Sequence, residues 1–266
     1  MIDLETIHYP ALDKPEICRL LFYPRREWDL FRSDATESFM IQVQKDVAVG
    51  ARFHEAGKGA PTILFFHGNG EIAADYDDFG ATYRRMGINF LPVDYRGYGL
   101  SSGNPTMTAM MRDAHLIFAS VSSWLAERTF NGPFVVMGRS LGSSPALEVA
   151  RHYGERIDGL VIESGFARIL PLLCLLGVDD PKLTEESGPQ NLEKIRQVKK
   201  PTLIIHAEGD QIIPITEGMD LYGAAAAARK RMIKITGADH NDIFLRGREM
   251  YLDAIGKFME MVVMER

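Results

Sequence analysis

Cysteine is scarce: the 266-residue chain holds two, Cys18 and Cys174. A secreted scaffold held by disulfides needs more of them at regular spacing, and two distant thiols make no metal centre on their own. Both are read as inert thiols in a reducing compartment, which gives the expectation of a cytoplasmic protein. Positive charge is not massed either. Against 36 Asp and Glu stand 30 Lys and Arg, scattered along the chain, for a formal net charge of −6. The electrostatic term that nucleic-acid binders depend on is therefore missing. Long apolar runs are absent: the longest, 169–178, is about half of the roughly 18 residues a membrane span needs. The stretch Met1-Ile2-Asp3-Leu4-Glu5 lacks the basic-then-apolar order of a secretory signal. No nucleic acid and no stable membrane insertion are expected. Nor is there a low-complexity linker or an internal repeat, so one domain is read over 1–266.

What is present is alternation. Residues 39–53 alternate apolar and polar side chains, as in Ile41, Val43, Val47 and Val49, which predicts antiparallel strands at the start of a sheet. From Pro61 onward, short uncharged apolar runs at 62–66, 89–93, 134–137, 159–162 and 202–205 read as central strands covered on both faces. A sixth run, 232–235, is interrupted by Lys234 and reads as nearer an edge. Between the runs lie helical patterns at 73–86, 107–128, 141–153, 216–228 and 242–263, the alanine run 224–228 among them. This order predicts an α/β fold with a doubly wound, mostly parallel sheet and helices on both faces. Ligands in such folds bind beyond the carboxyl ends of the strands, so the residues just after each run carry the functional reading.

After 134–137 comes Gly138-Arg139-Ser140-Leu141-Gly142, the G-x-S-x-G pattern between a strand and a helix. A sharp turn there lifts the serine above the sheet and requires very small neighbours two positions away. In a chain with this much glycine the bare pattern arises by chance roughly one time in ten, so its context carries the argument. Read blandly, Ser140 is only a helix cap. The backbone N–H of Leu141 opens the following helix and faces a developing oxyanion. After 62–66 comes His67-Gly68-Asn69-Gly70, and the N–H of Asn69 is assigned as the second oxyanion donor. His67 is read as ending a buried strand and holding the loop. Asp94-Tyr95-Arg96-Gly97-Tyr98-Gly99 makes a tight loop in which Asp94 and Arg96 form an ion pair or hold neighbouring loops.

Asp210 follows the run at 202–205, and His240 follows the run at 232–235. Serine, acid and histidine thus occur in the order Ser140, Asp210, His240. A serine hydroxyl needs a base to become nucleophilic, an imidazole suits neutral pH, and a carboxylate fixes the imidazole tautomer. Glu163, after the run at 159–162, is the alternative acid. His206 reads as the end of its strand, and His8, His54, His115 and His152 as surface or core residues.

These stretches together resemble the α/β-hydrolase superfamily, and most of all the Bem46-like group of alpha/beta hydrolase domain proteins. The resemblance covers roughly residue 39 to the C-terminus. It implies a serine esterase or thioesterase acting through an acyl-enzyme, with a small-molecule acyl substrate, no cofactor and no metal. Some members of the group remove fatty acyl groups from membrane-anchored proteins and carry a cysteine-rich N-terminus, whereas Cys18 stands alone here. The insertion at about 166–193 is expected to form a small cap, with Phe166, Leu170, Leu172 and Leu176 lining an acyl or alcohol pocket or simply packing on the core. A peptidase or C–C bond hydrolase uses the same triad, and a non-catalytic binding protein on this scaffold needs none of it.

Overall fold

The computed structural model describes residues 2–27 and 36–266. Met1, the first residue of the stretch read against a secretory signal, and residues 28–35 lie outside the described residues. The chain forms two compact units, Met1–Gly132 and Pro133–Arg266.

In the first unit, helix α1 (Pro15–Leu21) precedes the hairpin β1 (Thr36–Gln44) and β2 (Val47–His54). Strand β3 (Thr62–Phe66), helix α2 (Asp77–Arg85), strand β4 (Asn89–Val93) and helix α3 (Met107–Glu127) follow. The strand order is β1-β2-β4-β3, antiparallel until β3 runs parallel to β4. The alternation at 39–53 is the hairpin. Its register pairs Phe39 with Ala51 and Thr36 with His54, so Phe39 and Phe53 share one face and His54 takes the other. Trp124 of α3 stacks on Phe39 at 4.8 Å and meets Phe53 edge-on at 4.9 Å. On the His54 face, α2 comes so close that a Cβ on Gly80 would lie 2.3 Å from the imidazole. Helices thus cover both faces. Every residue of β3 and β4 is buried, which is why neither run tolerates a charge.

The second unit alternates strictly: β5 (Phe134–Arg139), α4 (Ser143–His152), β6 (Gly159–Glu163), α5 (Ile169–Leu175), α6 (Asn191–Ile195), β7 (Thr202–Ala207), α7 (Ile215–Ala224), β8 (Lys230–Ile235) and α8 (Ile243–Met264). All four strands are parallel, in the order β5-β6-β7-β8. Its faces also follow from register. His206 pairs with Lys234, and Ala207 with Ile235, so His206 and Ile235 point to opposite sides. A Cβ on Gly218 of α7 would strike His206 at 2.3 Å, and one on Gly247 of α8 would strike Ile235 at 2.3 Å. Hence α7 and α8 cover opposite faces, and α4 and α6 join α7 on its side. Strand β8 lies at the end of the order with Lys234 exposed, as an edge strand should.

One expectation needs correction. The alanine run does not continue the helix: α7 stops at Ala224, and Ala225 takes ψ 124°. The Lys230 ammonium donates to the carbonyls of Tyr222 and Ala225 at 2.9 and 2.8 Å, closing the helix end where the chain must turn into β8. Helix propensity differs by less than about 1 kcal/mol per residue, and this tertiary turn outweighs it. Of the two roles open to Asp94 and Arg96, holding neighbouring segments is the one the structure shows. Arg96 makes a bidentate contact with Asp113 at 2.7 and 2.8 Å, and Asp94 accepts the Ala73 N–H at 2.8 Å. Among the described residues, no helix is long and apolar enough to cross a membrane.

Candidate active site

Strand β5 ends at Arg139, and the next residue, Ser140, has φ +51°. A serine adopts this left-handed backbone only when its surroundings impose it. They do: the turn folds so tightly that a Cβ on Gly138 would lie 2.2 Å from the Gly142 carbonyl oxygen. The Ser143 hydroxyl donates to the Ser140 carbonyl at 2.7 Å and braces the turn from below. Residues 140–142 form a 3₁₀ turn leading into α4, so the Leu141 N–H belongs to a first turn whose N–H groups lack intrahelical acceptors.

His240 lies in the loop between β8 and α8. That loop is fixed by reciprocal bonds: Asp239 N–H donates to Asp242 Oδ1 at 2.7 Å, and Asn241 and Asp242 N–H donate to Asp239 Oδ1 at 2.8 and 3.0 Å. The imidazole Nε2 sits 3.0 Å from Ser140 Oγ, and Nδ1 sits 2.7 Å from Asp210 Oδ2. With Nδ1–H donating to the carboxylate, Nε2 is left to accept the serine proton. The other oxygen of Asp210 accepts the N–H groups of Ile212 and Ile213 at 3.0 and 2.8 Å. Burial pushes the Asp210 carboxyl up, but the His240 hydrogen bond, the charge of that ring and the Ile213 N–H outweigh it and hold it below the usual carboxylate range. All three side chains are buried in the second unit, at 6–8% exposure, so water competes little for their hydrogen bonds.

Glu163 does not reach the imidazole. It accepts the Tyr251 hydroxyl at 2.6 Å and faces Arg139 Nε at 3.2 Å. His206 is the penultimate residue of β7 and fully buried. Its Nε2–H donates to the Ile213 carbonyl at 2.8 Å, supporting the loop that holds Asp210, and burial pushes its pKa down. In the first unit, His67 donates through Nδ1 to the Gly68 carbonyl at 2.8 Å and lies 3.3 Å from Asp94. The Asn69 side chain accepts the Tyr98 hydroxyl at 2.7 Å and the Tyr23 N–H at 2.8 Å, and Gly68 N–H donates to Glu71 at 2.6 Å. The loop that carries the Asn69 N–H is therefore held at three points.

A cavity of about 140 Å³ opens between α5 and the loop after β7. Its apolar walls include Phe166, Leu172, Leu175, Ile212 and Ile213. Of the four pocket residues expected, Phe166 and Leu172 line it, while Leu170 and Leu176 lie outside its walls. Sequence reasoning missed Leu175 and the Ile212–Ile213 wall, although the apolar pair right after Asp210 was visible. It also missed what anchors the insertion. Glu217 of α7 accepts the Ala167 and Arg168 N–H groups at 2.9 and 2.8 Å, and Glu185 accepts those of Ile169 and Leu170 at 2.9 and 3.0 Å. The charged half of the insertion thus caps its apolar helix.

Comparison with known proteins places this architecture. Residues 57–179 match the family model described as serine aminopeptidase, S33. Alpha/beta hydrolase domain-containing protein 17B of Homo sapiens is 29% identical over 248 residues, which span 88% of this chain and 80% of that protein. The chain thus resembles alpha/beta hydrolase domain proteins over most of its length. Protein 17C of the same name from Xenopus tropicalis is 28% identical over 261 residues, 92% of this chain and 77% of its own length. The esterase Pf2001 of Pyrococcus furiosus superposes with a TM-score of 0.74 at 18% identity, covering 90% of this chain and 98% of the esterase, which establishes the shared fold.

Proposed function

We propose that this protein is a hydrolase that cleaves a carboxylic ester or thioester through an acyl-enzyme formed on Ser140. One observation carries the reading: a single imidazole stands 3.0 Å from a strained serine hydroxyl on one side and 2.7 Å from a buried carboxylate on the other. Ser140 Oγ attacks the substrate carbonyl as its proton passes to His240 Nε2. Asp210 stabilises the imidazolium that forms, without taking its proton. The Leu141 N–H donates to the oxyanion, and the Asn69 N–H is the second donor we assign, from its place after β3 in the chain. His240 then protonates the leaving alcohol or thiol. Water, deprotonated by the same ring, releases the acid and restores the serine. The cavity beside α5 supplies apolar walls for the acyl or alcohol part of the substrate.

The match to a serine aminopeptidase family model favours one second reading, amide cleavage at a peptide N-terminus on the same triad. A fluorophosphonate probe tests the shared chemistry, and a panel of p-nitrophenyl esters, acyl thioesters and aminoacyl anilides separates the two. The expected result is labelling of the wild type, none of Ser140→Ala, and turnover of esters or thioesters. Turnover confined to the anilides supports the peptidase. A folded wild-type protein that resists the probe overturns both and leaves a binding protein on a hydrolase scaffold.

A further inference from the structure

Three buried polar side chains beside the triad take no part in the chemistry above. Arg139, the last residue of β5, is 7% exposed, Glu163 at the end of β6 is 4% exposed, and Tyr251 of α8 is 1% exposed. Arg139 and Glu163 are register partners across the two strands. The guanidinium splits its donors: Nε faces Glu163 Oε1 at 3.2 Å, and Nη2 donates to the main-chain carbonyl of His240 at 2.8 Å. The remaining oxygen of Glu163 accepts the Tyr251 hydroxyl at 2.6 Å. Removing a guanidinium and a carboxylate from water is costly, and a plain core pair at this place is replaceable by apolar side chains. What an apolar pair cannot do is hold a backbone carbonyl 101 residues away in sequence.

We propose that Arg139 is a positioning residue that clamps the His240 loop to the nucleophile strand, with Glu163 and Tyr251 orienting it. The proposal rests on the triad reading of Ser140, Asp210 and His240. Asp210 grips His240 at the ring, the Asp239 and Asp242 bonds fix the shape of the loop and Gly209 N–H holds Ala238, but none of these ties the main chain at His240 to the nucleophile strand. Arg139 grips the same residue at its backbone. Because Arg139 is covalently next to Ser140, nucleophile and base are tied through one intervening side chain. The 3.0 Å separation of Nε2 and Oγ is thereby set locally rather than through the sheet. The task requires a planar group with donors pointing two ways, which lysine lacks.

The clamp also makes a prediction about charge. The groups facing the His240 ring are Asp210 and His206 from β7 and its loop, Ser140 and Arg139 from β5, and Glu163 behind Arg139. Tyr251 stands behind Glu163 on α8, and Asp239 and Asp242 share the histidine's own loop. Glu163→Gln leaves the guanidinium without its counter-charge, which disfavours the imidazolium, so the acid limb of kcat/KM moves to lower pH. Arg139→Gln exposes the ring to an uncompensated Glu163, so the limb moves to higher pH. The same change releases the clamp, and kcat falls by about 10- to 100-fold while KM stays within about twofold. Arg139→Lys restores the pH limb but not kcat. Steady-state ester hydrolysis from pH 5 to 9, with fluorophosphonate labelling rates and circular dichroism on each variant, measures all of this.

Opposite shifts of the acid limb in the two glutamine variants support the clamp. Folded variants with an unmoved limb and wild-type kcat overturn it, while wild-type labelling leaves the triad reading intact. If Arg139→Gln fails to fold, the isosteric Glu163→Gln decides alone, and no downward shift overturns the proposal. A wild-type protein that resists the probe overturns the triad reading and the clamp with it.

Discussion

At Ser140 the backbone holds φ +51°, which costs about 1–3 kcal/mol for a residue with a side chain. Glycine at 138 makes the turn feasible, because any Cβ there meets the Gly142 carbonyl at 2.2 Å. Gly142 itself has an ordinary helical φ of −65°. The acid is the residue whose replacement is most informative. In Asp210→Asn, the carbonyl oxygen of the amide can still accept the Ile212 and Ile213 N–H groups, which turns its NH₂ toward His240 Nδ1. The imidazole then carries its proton on Nε2 and cannot accept from Ser140. A loss of about 10³–10⁴-fold in kcat is expected at unchanged fold, measured by steady-state ester hydrolysis. Full activity in the folded variant overturns the assignment. Serine and histidine were legible in the sequence from their places after two strands. The acid was not unique, because Glu163 also follows a strand; only the Tyr251 and Arg139 contacts show that Glu163 is already committed.

Elements were legible wherever burial is complete. The runs at 62–66 and 89–93 coincide with β3 and β4 to the residue, because a strand buried on both faces ends where polar side chains begin. Elements shaped by distant contacts were not. The alanine run leaves α7 because Lys230 and the start of β8 lie elsewhere, and α8 kinks at Gly247, where φ −106° and ψ 17° depart from the helix. A glycine within a helical pattern permits such a kink without imposing it; Ile235, 2.3 Å from where a Cβ would stand, requires the glycine. Helix α5 is the element whose function is most open to test. Its Leu172 faces the cavity, with Leu175 one turn on. Leu172→Asp puts a carboxylate into an apolar wall. The ratio of kcat/KM for a medium-chain over a short-chain p-nitrophenyl ester should fall by about tenfold, as a chain loses its desolvated contact. An unchanged ratio in the folded variant removes the cavity from substrate binding.

Across the whole molecule, stability rests on apolar strands, each buried Leu, Ile or Phe side chain contributing about 1.5–3 kcal/mol, while a few charges are buried beside them. The pair that joins α4 to α6 is among the most enclosed: Lys194 and Glu148 are each 3% exposed, with Nζ 2.6 Å from Oε2. Burial pushes the Lys194 ammonium down, against the pull of Glu148. Lys194→Met removes the ammonium that neutralises Glu148 and leaves His152 beside a buried carboxylate, so the unfolding free energy from urea titration at pH 7.5 should drop by about 3–5 kcal/mol. Changing both, Lys194→Met with Glu148→Leu, removes the buried carboxylate as well and should bring stability to within about 1 kcal/mol of the wild type or above it. The pH dependence of the single variant follows from linkage. Without its cation, buried Glu148 has a folded pKa above its unfolded value of about 4.3. Such a group contributes stability that is present below the unfolded pKa and lost as pH rises through the folded one. His152 acts in the same direction: its Nδ1 lies 3.1 Å from Glu148, and that hydrogen bond already raises its pKa, so acidification supplies a replacement cation. The deficit of Lys194→Met should therefore be smaller at pH 5.5 than at pH 7.5. An equal deficit at both pH values, or a single variant as stable as the double, shows that Glu148 is not held charged by Lys194.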